Sequence, residues 1–143
     1  MDDGCSERAI LLAKMHGLCK QMNQKFEATL QMSATKVEIL YRLSCVGEQN
    51  QQALQRSLDL DAAAITRHLK KLEEDGLLIR EKRVPDRRAT FIRLTKLGET
   101  RLVALTAQKE AFQKELLDGL SEQELAHFAD ILERMSANVT RSF

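Results

Sequence analysis

The sequence predicts a mainly α (α+β) fold, in which several long helices accompany one small antiparallel sheet. Apolar residues recur at steps of three and four through most of the 143 residues, which is the spacing of one helix face. Two short segments, 77–83 and 90–94, alternate well enough to predict a pair of antiparallel strands. A hydrophobic content of 43% with 30% charged residues is typical of a folded soluble protein of about one domain.

Two helices are predicted before residue 48. The first runs from Ser6 to about Leu30, and its apolar stripe consists of Leu11, Met15, Leu18, Met22 and Phe26. Ser33 can cap the second, whose inward residues are Val37, Leu40 and Leu43 and which ends at residues 45–48.

A helix-turn-helix is predicted next. Asn50 can cap a short helix that contains Ala53, Leu54 and Leu58, and residues 59–61 form a tight turn. Asp61 then caps a second helix, and Gly76 is placed to end it with a positive φ. We assign to the core beneath this second helix Ile65, Leu69, Leu72 and Phe91.

The outward face of that second helix is small at its start and basic along its length. Such a face suits entry into a DNA major groove, with cations left over for phosphates. The predicted DNA-binding residues of the helix are Ala62, Ala63, Thr66, Arg67, Lys70 and Lys71.

The strand pair 77–83 and 90–94 encloses a basic tip that holds the only proline of the chain, Pro85. A strand pair of this kind after a recognition helix is a wing, and its predicted DNA contacts are Arg83, Asp86, Arg87 and Arg88. Winged helices commonly add a third short strand before the helix-turn-helix. Glu48 and Gln49 occupy that place with little β-propensity, so the third strand is in doubt.

Four motifs of this region, in this order and spacing, resemble the MarR family of winged-helix regulators: 65–69 (ITRHL), 72–80 (LEEDGLLIR), 86–88 (DRR) and 94–98 (LTKLG). The resemblance covers about a third of the chain closely. It implies a homodimer joined through N- and C-terminal helices, one arginine in the minor groove and another bracing the wing against Asp86. The chain departs from family members with Ser or Thr at residues 62–64, which are all alanine here. Direct base readout should therefore depend on Thr66 and Arg67.

Two more helices are predicted after Leu94. Thr95 can cap the first, which ends near Gly119, and Ser121 with Glu124 forms a capping box for the second. The last helix has a seam of apolar residues at alternating steps of three and four, a pattern typical of pairing. The predicted dimerisation residues of the first and last helices are Leu11, Met15, Leu18, Leu125, Phe128, Leu132, Met135 and Val139.

We therefore expect one domain, 1–143, in which residues 1–31 and 99–143 form dimerisation helices and residues 32–98 form the DNA-binding winged helix-turn-helix. The net charge is +1, but residues 62–93 hold nine basic and five acidic residues, so this segment carries +4 and the remainder −3. Positive charge thus concentrates where the helix and wing would face a polyanion. An acidic N-terminus and the lack of any apolar run of about 20 residues favour a cytoplasmic location.

Enzyme chemistry has no basis in the sequence, since it contains no phosphate loop and no nucleophile elbow. Three scattered histidines and three cysteines without CxxC spacing predict no metal and no cofactor. We expect a homodimeric repressor that binds double-stranded DNA at a pseudo-palindromic operator and is released by a small-molecule effector. Two alternatives stay open: a thiol-based redox sensor that uses Cys19, whose ordinary role is that of a buried small hydrophobe, and a protein-interaction module without DNA binding.

Overall fold

The computed structural model describes residues 3–83 and 88–142. Its helices are α1 (Asp3–Leu30), α2 (Ala34–Val46), α3 (Gln51–Ser57), α4 (Ala62–Glu74), α5 (Lys96–Leu116) and α6 (Glu122–Ser142). Its strands are β1 (Gln49–Asn50), β2 (Leu78–Lys82) and β3 (Thr90–Leu94). The chain forms two compact units, Met1–Glu110 and Ala111–Phe143. The mainly α fold with a small antiparallel sheet is confirmed.

Side-chain caps begin five of the helices, α2 to α6, as the sequence predicted, and the cap of α5 by Thr95 is described below. The side-chain oxygens of Ser33, Asn50 and Asp61 each accept a backbone N–H two or three residues further on, at 3.3, 2.8 and 2.7 Å. Ser121 and Glu124 form the reciprocal pair of a capping box, with N–O distances of 2.8 and 3.1 Å. Each cap satisfies a backbone donor that has no partner within its helix, which contributes about 1 kcal/mol.

The sheet has three antiparallel strands in the order β1–β3–β2. Gln49 pairs with Ile92 and Asn50 pairs with Phe91, so the third strand, which the sequence left in doubt, is present. The low β-propensity of this segment is overridden because β3 supplies a ready row of backbone partners. β2 pairs with β3 from Leu78 opposite Leu94 to Lys82 opposite Thr90, which gives the two long strands of the wing.

One apolar core lies within residues 30–105 and takes side chains from α1 to α5 and from both long strands. Ile65, Leu69 and Leu72 of α4 are completely buried, as predicted. Each such side chain contributes roughly 1.5–3 kcal/mol relative to exposure. The assignment of Phe91 to the core beneath α4 was wrong, because Ile92 is the completely buried residue here and Phe91 lies on the opposite face of β3.

The start of α5 is joined to the start of β2. The Thr95 hydroxyl donates to the carbonyl oxygen of Gly76 at 2.6 Å and accepts the N–H of Gly98 at 3.0 Å, while the Thr95 N–H donates to Leu77 O at 3.1 Å. Gly98 packs so closely here that a Cβ on it would overlap the Leu77 carbonyl oxygen. Gly76 follows the C-terminus of α4 with a positive φ of 76°. The prediction that this glycine ends the helix is therefore confirmed.

The first and last helices differ from the rest in leaving much of their apolar stripes exposed in the single chain, although Leu125 and Met135 of α6 are partly buried. In α1, Leu11, Met15 and Leu18 are exposed. In α6, Phe128, Leu132 and Val139 are 50%, 44% and 60% exposed, and no residue of that helix is buried. Over the part of the chain that the structure describes, none of the helices is both long and apolar enough to cross a membrane.

Candidate nucleic-acid interface

The outer face of α4 is exposed to solvent because the apolar inner face packs against the core. With Ile65, Leu69 and Leu72 buried, helical geometry turns the intervening residues outward. All six predicted DNA-binding residues of this helix are exposed: Ala62, Ala63, Thr66, Arg67, Lys70 and Lys71. The Asp61 cap and the first turn of α4 therefore stand at the beginning of a surface that is small, then polar, then basic.

The hydroxyl of Thr66 is already engaged within this surface. It donates to the carbonyl oxygen of Ala62 at 2.8 Å and accepts an N–H from the side-chain amide of Gln51 at 3.3 Å. A hydroxyl has one donor and two acceptor lone pairs, so Thr66 keeps one lone pair for a base edge. Gln51 keeps a second N–H and its carbonyl oxygen beside it, and sequence reasoning missed this residue because nothing local links it to a threonine fifteen positions away.

The cations of α4 differ in how they are neutralised. Lys71 pairs with Asp75 at 3.3 Å, whereas Arg67 and Lys70 have no carboxylate within 4.0 Å among residues 3–83 and 88–142. The pKa of His68 is held below its ordinary value by burial first, and then by the positive charges of Arg67 and Lys36. Positive potential therefore accumulates along this side of α4.

Glu73 and Arg80 join the end of α4 to β2. The Glu73 carboxylate accepts the backbone N–H of Arg80 at 3.0 Å and two guanidinium N–H groups at 3.0 and 3.3 Å. The side-chain hydrogen bonds from Arg80 are the main reason that the pKa of Glu73 lies below its ordinary value. This link sets the position of the wing strands relative to the recognition helix.

The base of the wing holds Arg83 by several contacts. Its guanidinium lies 2.6 Å from a Glu48 carboxylate oxygen and 3.8 Å from one of Glu81, and it stacks over the Phe91 ring at 4.7 Å. Arg83 can meet a phosphate only by sharing or leaving these partners, so its role as a DNA contact stays a prediction. Arg88 is exposed, while the predicted contacts Asp86 and Arg87 lie outside the described residues.

A cleft of about 480 Å³ runs beside the basic face of α4. Its lining comes from α2 and α4: Lys36, Arg67, His68, Lys70, Lys71 and Glu74. Lys36 was not among the predicted site residues. It belongs to the first turn of α2, and the sequence shows it only as part of a capped helix start.

A second and larger cleft, of about 730 Å³, opens between α2, β3 and α5. Leu102 and Val103 give it an apolar wall, and its polar lining includes Tyr41, Glu48, Arg93, Glu99 and Thr106. The Lys109 ammonium lies 5.7 Å from the centre of the Tyr41 ring. A hydrogen bond with the Cys45 side chain is the first cause that raises the pKa of Tyr41 above its ordinary value.

Cys19, the candidate redox residue, is exposed in the single chain. The expectation of a buried small hydrophobe is therefore not met within one chain. Met15 and Leu18 beside it are exposed as well, whereas Phe26, further along the same stripe, is partly buried against the core.

Comparison with known proteins agrees with this geometry. Residues 32–90 match the family model described as the MarR family. A curated relative, the uncharacterized HTH-type transcriptional regulator YdgJ of Bacillus subtilis (strain 168), is 38% identical over 135 residues, which are 94% of this chain and 82% of the relative.

Solved structures share the fold. A mutant of MarR from E. coli complexed with operator DNA has a TM-score of 0.78 at 21% identity, covering 94% of this chain and 99% of that one. The organohalide-sensing regulator RdhR-CbdbA1625, in its 2,4-dichlorophenol-bound form, has a TM-score of 0.81 at 17% identity, covering 92% of this chain and 80% of that one. With the exposed basic recognition helix, the wing and a relative of this identity and coverage, the chain belongs to the MarR family of winged-helix transcriptional regulators.

Proposed function

We propose that this regulator is a homodimeric repressor that binds a pseudo-palindromic operator and is released by a small-molecule effector. The observation that carries the proposal is the exposed apolar stripe of α6, which includes Phe128, Leu132 and Val139. A stripe this regular is expected to be covered by a matching helix, and a second copy of the chain offers the same stripe. The exposed apolar residues of α1 support the same arrangement.

A two-fold dimer presents two α4 helices related by symmetry. Such a pair fits half-sites about 10 bp apart on one face of the duplex, and the symmetry of the protein then appears as inverted symmetry in the operator. In each half-site Arg67 and Thr66 meet base edges, Lys70 and Lys71 meet phosphates, and the wing reaches the adjacent minor groove through Arg87 and Arg88. A stretch of A·T pairs is favoured under the wing, because a narrow minor groove attracts arginine.

The effector is placed in the cleft between α2, β3 and α5. Its volume of about 730 Å³ falls within the range of small-molecule sites, roughly 300–1,000 Å³. Its apolar wall and the nearby Arg93 guanidinium suit an organic molecule that carries an apolar body and an acceptor group. The likeness to a regulator solved with 2,4-dichlorophenol supports an aromatic ligand for this fold.

Selection of a binding site from a randomised duplex library tests the operator part of the proposal. The selected site should contain an inverted repeat, and sedimentation should give the mass of two chains at micromolar concentration. A stable monomer, or a site without inverted symmetry, would contradict the homodimer. A protein-interaction module would instead fail to bind heparin and would show no salt-dependent shift of random duplex DNA.

Release by effector is tested separately, on the operator complex. Addition of aromatic carboxylates and phenols should lower operator affinity, and Val103→Trp, which fills the cleft, should abolish that response while operator binding without ligand persists. If no such compound acts on the wild type, a non-covalent aromatic effector is excluded.

A thiol switch is the second candidate function, because the exposure of Cys19 meets one requirement of a redox sensor, access to oxidant. Treatment of the wild type and of Cys19→Ser with an organic hydroperoxide distinguishes it. Release of DNA from the wild type alone would establish the switch, and equal behaviour of the two proteins would remove Cys19 as the sensor.

A further inference from the structure

The cleft of about 480 Å³ beside α4 gathers positive charge from two separate elements. Arg67, Lys70 and Lys71 reach it from α4, and Lys36 reaches it from the first turn of α2. Glu74 is the single acidic residue of its lining. Two of the four basic residues, Arg67 and Lys70, are already placed on the DNA-binding face, so the cleft is continuous with that face.

The protein neutralises only part of the positive charge in this cleft. Lys71 has Asp75 as its partner, but no carboxylate among the described residues lies within 4.0 Å of the Lys36 ammonium. The pKa of the adjacent His68 is lowered first by burial and then by the charges of Arg67 and Lys36, which agrees with this positive surrounding. Lys36, Arg67 and Lys70 thus keep no carboxylate partner among the described residues, and such a group of cations can bind an anion.

We propose that Lys36 binds a backbone phosphate of the operator in this cleft, so that the DNA footprint extends beyond the helix-turn-helix and the wing to the start of α2. The inference rests on the DNA-binding function of the chain and adds a contact that the sequence motifs do not include. Each subunit of a dimer would add one such phosphate.

The chemistry of the residue favours a phosphate over a base. The backbone N–H of Lys36 is taken by Ser33 Oγ at 3.3 Å, so only its side chain is available to DNA. A lysine ammonium is a compact point charge on a long stem and lacks the planar fork that reads guanine. Lys36 is partly buried and lines a cleft whose other lining residues all come from α4. The contact should therefore be independent of base sequence.

The test compares Lys36→Ala with Lys20→Ala, which removes the same charge from an exposed position of α1 that lines neither cleft and lies on the opposite side of the helix from Leu11 and Leu18. Affinity for the selected operator and for a random duplex is measured over a range of salt concentrations. Loss of one phosphate contact should flatten the slope of log K against log salt by about 0.9 for each subunit bound. Lys36→Ala should flatten the slope by this amount and weaken binding to both duplexes by the same factor, whereas Lys20→Ala should match the wild type.

Two further variants guard against misfolding. Lys36→Arg keeps the charge and should keep the wild-type slope, while Lys36→Glu should weaken binding more than Lys36→Ala. A thermal midpoint unchanged from the wild type assigns these effects to the contact. In the free protein, Lys36→Ala should also raise the pKa of His68, followed by NMR, and operator DNA should raise it in the wild type.

The outcomes separate this inference from the general function. A wild type that fails to bind any duplex would overturn both. If the wild type binds but the slope is unchanged in Lys36→Ala, or is changed equally in Lys20→Ala, only the Lys36 contact is overturned. A response of His68 to inorganic phosphate without a response to DNA would assign the cleft to a free anion and would also overturn it.

Discussion

Helices α4 and α6 have equally regular apolar stripes but opposite surroundings. Ile65, Leu69 and Leu72 of α4 are completely buried in the core of one chain, whereas Phe128 and Leu132 of α6 are about half exposed. The stripe of α4 meets strands and helices contributed by the same chain. A stripe predicts that a helix needs a partner, but it does not say whether that partner comes from the same molecule.

The winged helix and the terminal helices thus differ in whether a single chain can bury their apolar residues. The winged helix has its caps, its sheet and a closed core within a single chain, so it can present α4 without help. Helix α6 has its capping box, but α6 and α1 both leave apolar area in water, which favours association. Variants on the two helices should therefore affect different measurements, and the following predictions run from the largest expected effect to the smallest.

Leu132→Asp should dissociate the dimer. Each subunit loses roughly 2 kcal/mol of apolar burial, so a dimer loses roughly 4 kcal/mol and its dissociation constant rises roughly a thousandfold. Operator binding should fall with it, as measured by sedimentation and by titration of the operator. Ala137→Asp places the same charge on the opposite face of α6 and should leave both unchanged. A dimer that persists in Leu132→Asp would show that the α6 stripe is covered by something else.

Leu69→Ala should lower the free energy of unfolding by about 3 kcal/mol, because it opens a cavity in a core where the side chain is completely buried. Denaturant unfolding measures the change. In a chain kept monomeric by Leu132→Asp, Val139→Ala should cost far less, since Val139 is exposed there. An equal loss of unfolding free energy in the two variants would contradict the conclusion that the α4 stripe is buried in one chain and the α6 stripe is not.

Arg67→Ala tests the outer face of α4 with the inner face left intact. It should weaken binding to the selected operator by roughly 1–3 kcal/mol if the guanidinium reads a base, with little change in binding to random duplex. Its thermal midpoint should stay at the wild-type value, because Arg67 is exposed. Lys70→Ala is the matched comparison and should weaken all duplexes alike. Unchanged operator affinity in Arg67→Ala would show that the groove face has been assigned wrongly.

Glu73→Gln should have the smallest effect and the clearest pH dependence. The hydrogen bonds from Arg80 lower the pKa of Glu73 in the folded chain, so their stabilisation is present above the ordinary glutamate pKa and is lost as pH falls through the lower folded value. The Glu73 side chain is 38% exposed, so solvent screening limits the loss at neutral pH to about 1 kcal/mol.

Unfolding of the wild type and of Glu73→Gln should be followed from neutral to acid pH. Their stabilities should converge as the pH falls through the lowered pKa of Glu73 in the folded chain. A constant difference across the whole range would mean that the carboxylate charge is not what stabilises the link.

Local features of the fold were predictable from the sequence because each depends on a few neighbouring residues. The caps at Asp61 and Ser121 and the stop at Gly76 all act within four positions. The strand β1 was not predictable from its own residues, since β3, about forty positions away, supplies its backbone partners. Phe91 was misassigned because alternation separates two faces of a strand without saying which face is covered.

In the candidate site too, local features were predictable from the sequence and long-range contacts were not. The outer face of α4 follows from helix periodicity, and all six of its predicted residues are exposed. The pairing of Arg83 with Glu48 joins residues 35 positions apart, and the approach of Lys36 to α4 depends on how two helices pack. Such contacts require the tertiary structure, because neither partner carries a local signal for the other.

The junction at Gly98 has a consequence for sequence tolerance. The carbonyl oxygen of Leu77 occupies the place of any Cβ at this position, and it is backbone, so it cannot move aside as a flexible side chain would. In a library randomised at residue 98 and selected for stability, glycine alone should survive. At Leu97, the exposed neighbour, many residues should pass the same selection. A single step along the chain thus separates a position that evolution can vary from one that it must leave alone.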